Sequence, residues 1–135
     1  MNVVFDANVV ASGVCWHGEA WLCLVKLARR QACAYATEYT LTETRETATR
    51  LIREKQPGHR AANILNWYLH QVRMIAPSPL GKQRSRDAKD DPYLAAALAA
   101  RARFIVTYDK DLLDLKKPFG IEIIHPAQFL KRVNG

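Results

Sequence analysis

The chain has 135 residues, 49% of them hydrophobic, and a formal net charge of +7. This length fits a single domain, 1–135, that can bury a core, and it excludes two domains of ordinary size. The basic surplus favours a polyanionic partner, either nucleic acid or an acidic protein. We expect no membrane span, because no apolar run approaches roughly 20 residues, and no signal peptide before the strand-like segment at 2–5.

The cysteines point to a reducing compartment. Cys15, Cys23 and Cys33 are odd in number, and none forms a C-x-x-C pair with a downstream histidine cluster. A disulfide framework and a zinc site are therefore both disfavoured. We expect three reduced cysteines that pack as small hydrophobic residues, in a cytoplasmic protein.

The first half of the chain alternates apolar runs with helical periodicity. Trp21, Leu24 and Val25 recur at spacings of three and four, which predicts an amphipathic helix. In chain order we predict a strand at 3–5, a helix at 19–30, a weak strand at 32–36, a helix from a cap at Thr37 or Thr40 to about 55, and a helix at 61–72.

The second half continues the alternation. We predict a loop at 76–81, a charged and solvated stretch at 82–91, an Ala-rich helix with Pro92 first and an end near 102, a strand at 104–107, a short helix at 110–115, a strand at 121–124 and a final helix from 127. This alternation of strands and helices predicts a three-layer α/β/α sandwich around a mainly parallel sheet. Right-handed crossovers then bring every β→α loop to one edge of that sheet.

Four acidic residues fall where they can meet at this edge. Asp6 follows the first strand, Asp109 lies two residues after the strand that ends at Thr107, Glu43 is in the first turns of a helix, and Asp91 begins the Ala-rich helix. Carboxylates brought so close repel one another unless a cation neutralises them. A hard divalent ion with oxygen ligands, Mg²⁺ or Mn²⁺, is the natural counterion, and it favours phosphodiester cleavage.

Each acid also has an ordinary structural explanation. Asp6 could form a loop turn, Asp91 and Asp109 could cap helices, and Glu43 stands three residues after Thr40, as in a capping box. None of these explanations predicts that all four share one edge of the sheet. The expected convergence is therefore the evidence for a site.

Several short motifs follow one another along the chain. They are the Asp6-Ala7-Asn8 start, Thr42-Glu43 on the second predicted helix, the Asp91-Pro92-Tyr93-Leu94-Ala95-Ala96-Ala97 helix, the strand and turn from Phe104 to Leu112 with Thr107-Tyr108-Asp109-Lys110-Asp111, and the closing segment 123–130. Together and in this order they resemble the motifs of the PIN-domain family, specifically bacterial VapC-like toxins of toxin–antitoxin systems. The resemblance covers essentially the whole chain.

The resemblance implies a metal-dependent endoribonuclease in which Asp6, Glu43, Asp91 and Asp109 are the metal-coordinating acids. Its supporting polar residues would be Asn8, Thr107 and Asp111. It also implies a homodimer and inhibition by a cognate antitoxin that occupies the active-site cleft. The chain departs from the family at Ala7, where Ser or Thr is common, and its acidic group Asp87, Asp90 and Asp91 offers three candidates, of which Asp91 best fits the spacing to Leu94 and Ala97.

In the resulting hypothesis Asp6, Asp91 and Asp109 hold the metal, and Glu43 coordinates it or orients the attacking water. The family pattern implies a 5′-phosphate product. Basic side chains near the motifs would track the RNA backbone, with a salt-dependent affinity. The candidates are Arg45, Arg84, Arg86, Lys89 and Lys110.

Three alternatives stay open at this point. A catalytically weak PIN fold could recognise RNA or a protein without cutting. A phosphotransfer enzyme could use Asp6 as its nucleophile, although Asn8 stands where that chemistry usually needs a second carboxylate. A structural protein could assemble through Trp21, Trp67 and Tyr68, although core packing is the commoner fate of such aromatic side chains.

Overall fold

The structure is a computed structural model that describes residues 1–133. Its strands are β1 (Asn2–Phe5), β2 (Cys33–Ala36), β3 (Arg73–Met74), β4 (Phe104–Val106) and β5 (Glu122–Ile124). They form one sheet in the order β3-β2-β1-β4-β5, and every neighbouring pair is parallel. Val3 pairs with both Ala34 and Phe104, so β1 is the central strand.

Seven α-helices and two short 3₁₀ turns, at Ala88–Asp90 and Pro118–Gly120, connect the strands in the described part of the chain. The helices are α1 (Ala7–Cys15), α2 (Glu19–Ala28), α3 (Glu38–Lys55), α4 (His59–Gln71), α5 (Asp91–Ala100), α6 (Lys110–Leu113) and α7 (Pro126–Arg132). Thr37 caps α3 in a capping box whose second member is Thr40. The cap therefore does not involve Glu43, which stays available for another role.

The sheet has a hydrophobic cluster on each face, because successive strand residues point to opposite sides. Val3 and Phe5 face a cluster that includes residues of α1, α2, α3, α4 and α7. Val4 and Ile105 face the other cluster, built with α5 and α6. The predicted three-layer α/β/α sandwich with a parallel sheet is confirmed.

Two elements were not predicted from the sequence. Helix α1 is rich in valine and contains Gly13, both poor helix formers, yet six of its nine residues are buried. Tertiary packing on the sheet therefore overrides its weak local preference. Strand β3 is only two residues long, and both side chains are exposed, so it has no hydrophobic pattern to detect.

The sequence predicted that the charged stretch at 82–91 would be solvated throughout, and this prediction is wrong at two positions. Ser85 and Asp90 are buried in it. Tyr68 is also fully buried, so it belongs to the core and does not serve as an interface anchor. Within residues 1–133, no helix combines the length and the hydropathy that crossing a bilayer requires.

The strand order reverses between β1 and β4. From β1 the chain proceeds outward to β2 and β3, and it then returns to place β4 and β5 on the other side. In an open parallel sheet, a crevice forms at such a switch point, outside the carboxyl ends of the strands. Here that position lies beyond Phe5 and Val106, which pair with each other.

Candidate functional site

A cleft of about 370 Å³ lies at this switch point. The carboxyl ends of β1 and β4, the start of α1, one face of α3 and the turn before α5 enclose it. Its lining is strongly acidic: among the described residues, six carboxylates but only two cationic side chains contribute. The lining residues are Asp6, Ala7, Asn8, Glu43, Glu46, Thr47, Arg50, Asp87, Lys89, Asp90 and Asp109.

Asp6 is held at the floor of the cleft by the neighbouring strand. It follows β1, and its carboxylate accepts a hydrogen bond of 2.7 Å from the hydroxyl of Thr107, which follows β4. Both side chains are buried. Although Asp6 precedes α1 directly, it makes no side-chain cap bond to that helix. The loop-forming explanation of Asp6 therefore does not account for its orientation.

Asp109 lies next to Asp6 and is fixed by two bonds. Its backbone N–H donates to the hydroxyl of Thr107 at 2.9 Å, and its carboxylate accepts from the N–H of Asp111 at 2.8 Å. The second bond caps α6, so Asp109 has a structural role as well as a place in the cleft. Thr107 thus connects Asp6 to Asp109 through one hydroxyl group.

Three carboxylates come close enough to share a cation. One oxygen from each of Asp90, Asp109 and Asp111 lies within 4.8 Å of the other two. Asp90 and Asp109 also line the cleft, whereas Asp111 lies at its rim. There the carboxylate of Asp111 forms a salt bridge of 2.7 Å with Arg86.

The structure places Asp90 in the cleft, in the position that the sequence had assigned to Asp91. The carboxylate of Asp91 is turned away and accepts hydrogen bonds from the backbone N–H groups of Arg84, at 2.9 Å, and Ser85, at 2.8 Å. Asp91 thus connects the loop that contains these two residues to the start of α5.

Helical geometry explains this correction. Residues three, four and seven positions after Asp90 are Tyr93, Leu94 and Ala97, all essentially inaccessible to solvent. Asp90 therefore begins the inward-facing row of α5. The same spacing from Asp91 leads to the buried Leu94 and then to the less buried Ala95 and Leu98. The apolar residues of α5 are contiguous, so the sequence by itself does not separate the two aspartates.

Glu43 reaches the cleft from α3, and its side chain is half-buried. It accepts a hydrogen bond from the hydroxyl of Tyr93 on α5. The sequence analysis gave Tyr93 no role in the site. The two residues are 50 positions apart, so no local pattern could have indicated their contact.

The electrostatics of the cleft show that its charges are not balanced by the protein. Burial raises the pKa of Asp6; the hydrogen bonds from Thr107 and the Ala7 N–H oppose that rise, and the charges of Asp109 and Glu43 add to it. Burial, followed by the charges of Asp109, Asp6 and Asp87, raises the pKa of Asp90 to about 7. Mutual repulsion thus adds to desolvation at both acids.

The cationic candidates from the sequence separate into two groups. Lys89 lines the cleft, as does Arg50, which the sequence analysis had not selected. Arg84 and Arg86 are engaged elsewhere: Arg84 donates to the carbonyl of Leu80 and lies over the ring of Phe119, and Arg86 pairs with Asp111 and Asp114. Arg45 and Lys110 are exposed but do not line the cleft.

Arg50 had a detectable signal. Glu43, Glu46, Thr47 and Arg50 are spaced at zero, three, four and seven along α3, and all four line the cleft. Asn8, predicted as a supporting residue, is an exposed part of the same lining. One face of α3 therefore carries acids near one end and a cation at the other.

The donor set fits a divalent cation. The cleft offers oxygen ligands from several carboxylates, without cysteine or histidine in its lining, which suits Mg²⁺ or Mn²⁺. A bound cation would offset the repulsion that raises the pKa of Asp90. Asp90, Asp109 and Asp111 have carboxylate oxygens close enough to share it, and Asp6 and Glu43 line the same cleft.

Together, the fold and the site define an open α/β protein whose acidic cleft, at the switch point of its sheet, could bind a metal ion. The chain belongs to the PIN domain family, whose sequence model matches residues 2–111. PIN domains are generally nucleases. Among curated proteins, none matches this chain.

A solved structure supports the same fold. The crystal structure of PAE2754 from Pyrobaculum aerophilum superposes with a TM-score of 0.62 and is 19% identical in sequence. The match covers 98% of this chain and 89% of the other. At this level of identity the comparison shows a shared fold.

Proposed function

We propose that this protein is a divalent-metal-dependent endoribonuclease that hydrolyses RNA phosphodiester bonds in the cleft. The observation that carries the proposal is that Asp6, Asp90 and Asp109 line one cleft, where the Thr107 hydroxyl joins the Asp6 carboxylate to the backbone of Asp109 and the pKa of Asp90 is raised to about 7. A protein keeps so many neighbouring carboxylates uncompensated at a functional site more readily than elsewhere, because they destabilise the metal-free fold.

In this proposal Asp6, Glu43, Asp90 and Asp109 hold Mg²⁺ or Mn²⁺. The bound ion would polarise the scissile phosphate and make a water molecule a better nucleophile. Thr107 keeps the Asp6 carboxylate in place through its 2.7 Å hydrogen bond. Glu43, half-buried at the opposite wall, coordinates the ion or orients the attacking water.

Arg50 and Lys89 are the proposed contacts to the RNA backbone. Both line the cleft, and neither forms a salt bridge with any acid among residues 1–133. Two cations that stay unpaired beside six carboxylates are available for the phosphates of a bound strand. This assignment keeps Lys89 from the sequence-based set and adds Arg50.

We further propose that the ribonuclease is the toxin of a toxin–antitoxin system. This role is supported by family membership and by motifs, from Asp6-Ala7-Asn8 to the segment at 123–130, that resemble those of bacterial toxins. A cognate antitoxin and a homodimer belong to the same proposal. Three free cysteines are in keeping with a cytoplasmic setting. Expression in a bacterial host should arrest growth, and Asp90→Asn should relieve the arrest.

The direct test is cleavage of a mixed RNA pool by the purified protein with and without Mn²⁺ or Mg²⁺. Asp6→Asn and Asp90→Asn should abolish metal-dependent cleavage. Glu122→Gln is the matched control, because it removes one carboxylate at the amino end of β5, away from the cleft. Metal binding without cleavage of any RNA would contradict the ribonuclease and support a PIN-fold binding module.

A further inference from the structure

Tyr93 connects the two helical layers behind Glu43, which lines the cleft. It lies near the start of α5, on one side of the sheet, and its hydroxyl donates a hydrogen bond to Glu43 of α3, on the other side. Its side chain is 1% exposed. The described structure contains no other hydrogen bond between side chains of α3 and α5.

The surroundings of Tyr93 make its hydroxyl a fixed donor. Its ring packs in the cluster that contains Val4, Ala7 and Ile105, so the side chain has little freedom to move. Its hydroxyl group donates to the carboxylate of Glu43, and a phenol held by such packing offers that donor in one place.

Glu43 needs such a partner more than the other acids of the cleft do. Asp6 is oriented by Thr107, and Asp109 is oriented by Asp111 and the α6 cap. Glu43 has a longer side chain than these aspartates, and its carboxylate accepts a hydrogen bond from the Tyr93 hydroxyl. A carboxylate that must meet a cation at a fixed place loses affinity when its rotamer is free, because ordering it then costs entropy on binding.

We propose that Tyr93 is a positioning residue of the metal site, which holds the Glu43 carboxylate in the cleft so that it can join Asp6, Asp90 and Asp109 around a divalent cation. This inference rests on the proposed function, since it assumes that the cleft binds a metal. Tyr93 acts through Glu43 and needs no contact with the RNA or with the reacting atoms.

The test is a calorimetric titration of Mn²⁺ into the whole protein and its Tyr93→Phe variant. Removing the hydroxyl should weaken Mn²⁺ binding by about 10–100-fold, the usual range for groups that orient metal ligands. Tyr68→Phe is the matched control: it removes an equally buried phenol outside the cleft and should leave Mn²⁺ affinity unchanged.

The same substitution in a protein that lacks Glu43 distinguishes a positioning role of Tyr93 from a general effect on packing. In a Glu43→Ala protein, Tyr93→Phe should cause no further loss of Mn²⁺ affinity, because the residue through which Tyr93 acts is gone. A general packing defect would lower affinity in both backgrounds.

The outcomes distinguish this inference from the proposed function. A wild-type protein that binds no Mn²⁺ would overturn the proposed function and the role of Tyr93 with it. A wild-type protein that binds Mn²⁺, beside a folded Tyr93→Phe variant of equal affinity, would overturn the role of Tyr93 alone. Equal losses with and without Glu43 would likewise overturn it.

Discussion

Two groups of carboxylates lie side by side at the same edge of the sheet and differ in how their charges are balanced. The cleft group, Asp6, Asp90 and Asp109, lies among other acids. The rim group consists of Asp91, Asp111 and Asp114. Asp91 is satisfied by two backbone N–H groups, and Asp111 and Asp114 share the guanidinium of Arg86.

The difference in charge compensation indicates that the rim carboxylates stabilise the fold, whereas ionised carboxylates in the cleft destabilise it. Each rim carboxylate either accepts two backbone hydrogen bonds or pairs with the Arg86 guanidinium, whereas none of the cleft carboxylates Asp6, Asp90 and Asp109 forms a salt bridge within residues 1–133. At Asp6 and Asp90 of the cleft group, burial and neighbouring acids raise the pKa values. Adjacent residues, Asp90 and Asp91, therefore lie in different surroundings, the first in the acidic cleft and the second on backbone N–H groups.

The largest expected effect separates these two neighbours. Asp90→Asn should lower metal-dependent RNA cleavage by at least about 100-fold, because it removes a cleft carboxylate that no other residue replaces. Asp91→Asn should leave cleavage by the folded protein within a few-fold of wild type. Initial rates at saturating Mn²⁺ measure both. Equal losses in the two variants would remove the distinction between cleft and rim.

Asp91→Asn should instead reduce stability. Its carboxylate accepts hydrogen bonds of 2.9 and 2.8 Å from the backbone of Arg84 and Ser85, and the amide of Asn can replace only one acceptor oxygen. We expect a loss of about 1–2 kcal/mol in the free energy of unfolding. Urea denaturation of the metal-free protein measures it. An unchanged midpoint would show that these bonds contribute nothing net.

Asp90→Asn should have the opposite effect on stability without metal. The folded pKa of about 7 lies above the ordinary value of 3.8, so the ionised group destabilises the fold at higher pH. The variant should gain on the order of 1–2 kcal/mol over wild type at pH 8, allowing for solvent screening. This advantage should shrink as the pH falls from about 7 towards 3.8, where wild-type Asp90 is increasingly protonated.

Denaturation of both proteins between pH 8 and pH 5 checks this expectation, and saturating Mn²⁺ should reverse the order of stability. A difference between them that does not change with pH would contradict the assignment of a raised pKa to Asp90. A wild type that is already the more stable of the two at pH 8 without metal would contradict it as well.

The cations of the two regions should also differ. Arg50→Ala, in the cleft, should weaken RNA binding several-fold and reduce its salt dependence by about one unit of the log–log slope. Arg45→Ala is the matched control on α3, because Arg45 is exposed and does not line the cleft. Filter binding from 50 to 200 mM salt measures both. The same slope in both variants would remove Arg50 from the RNA path.

The smallest effect is expected at the rim cation. Arg86→Met leaves Asp111 and Asp114 without their partner, but Arg86 is 69% exposed, so solvent replaces much of the lost interaction. The free energy of unfolding should fall by less than about 1 kcal/mol. Thermal or urea unfolding measures it. A loss above 2 kcal/mol would show that the rim network is far more than a surface ion pair.

Most of the fold was predictable from the sequence, because its central elements carry strong patterns. The apolar runs at Val3–Phe5 and Phe104–Val106 predicted β1 and β4, and the acids after them predicted a cleft at their carboxyl ends. Helix α1 was missed because its helical state depends on packing against the sheet. Local propensity contains no information about that packing.

The site was predictable in its location but not in its details. Strand and helix order predicted that Asp6, Glu43 and Asp109 would meet at one edge of the sheet, and all three line the cleft there; their roles stay a prediction. Asp90 could not be chosen over Asp91 from the sequence, because the residues of α5 that follow them are contiguous, apolar and mostly buried, so no helical face is marked out. The Tyr93–Glu43 bond joins two layers through the tertiary fold, so no local sequence pattern predicts it.

The central claim is that the uncompensated carboxylates of the cleft hold a divalent cation. The most direct measurement is the Mn²⁺ binding isotherm of three metal-free proteins: wild type, Asp90→Asn and Asp91→Asn. Wild type and Asp91→Asn should bind Mn²⁺ with similar affinity, and Asp90→Asn should lose most of it. Loss of binding in Asp91→Asn with retention in Asp90→Asn, or no binding by the wild type, would contradict the account.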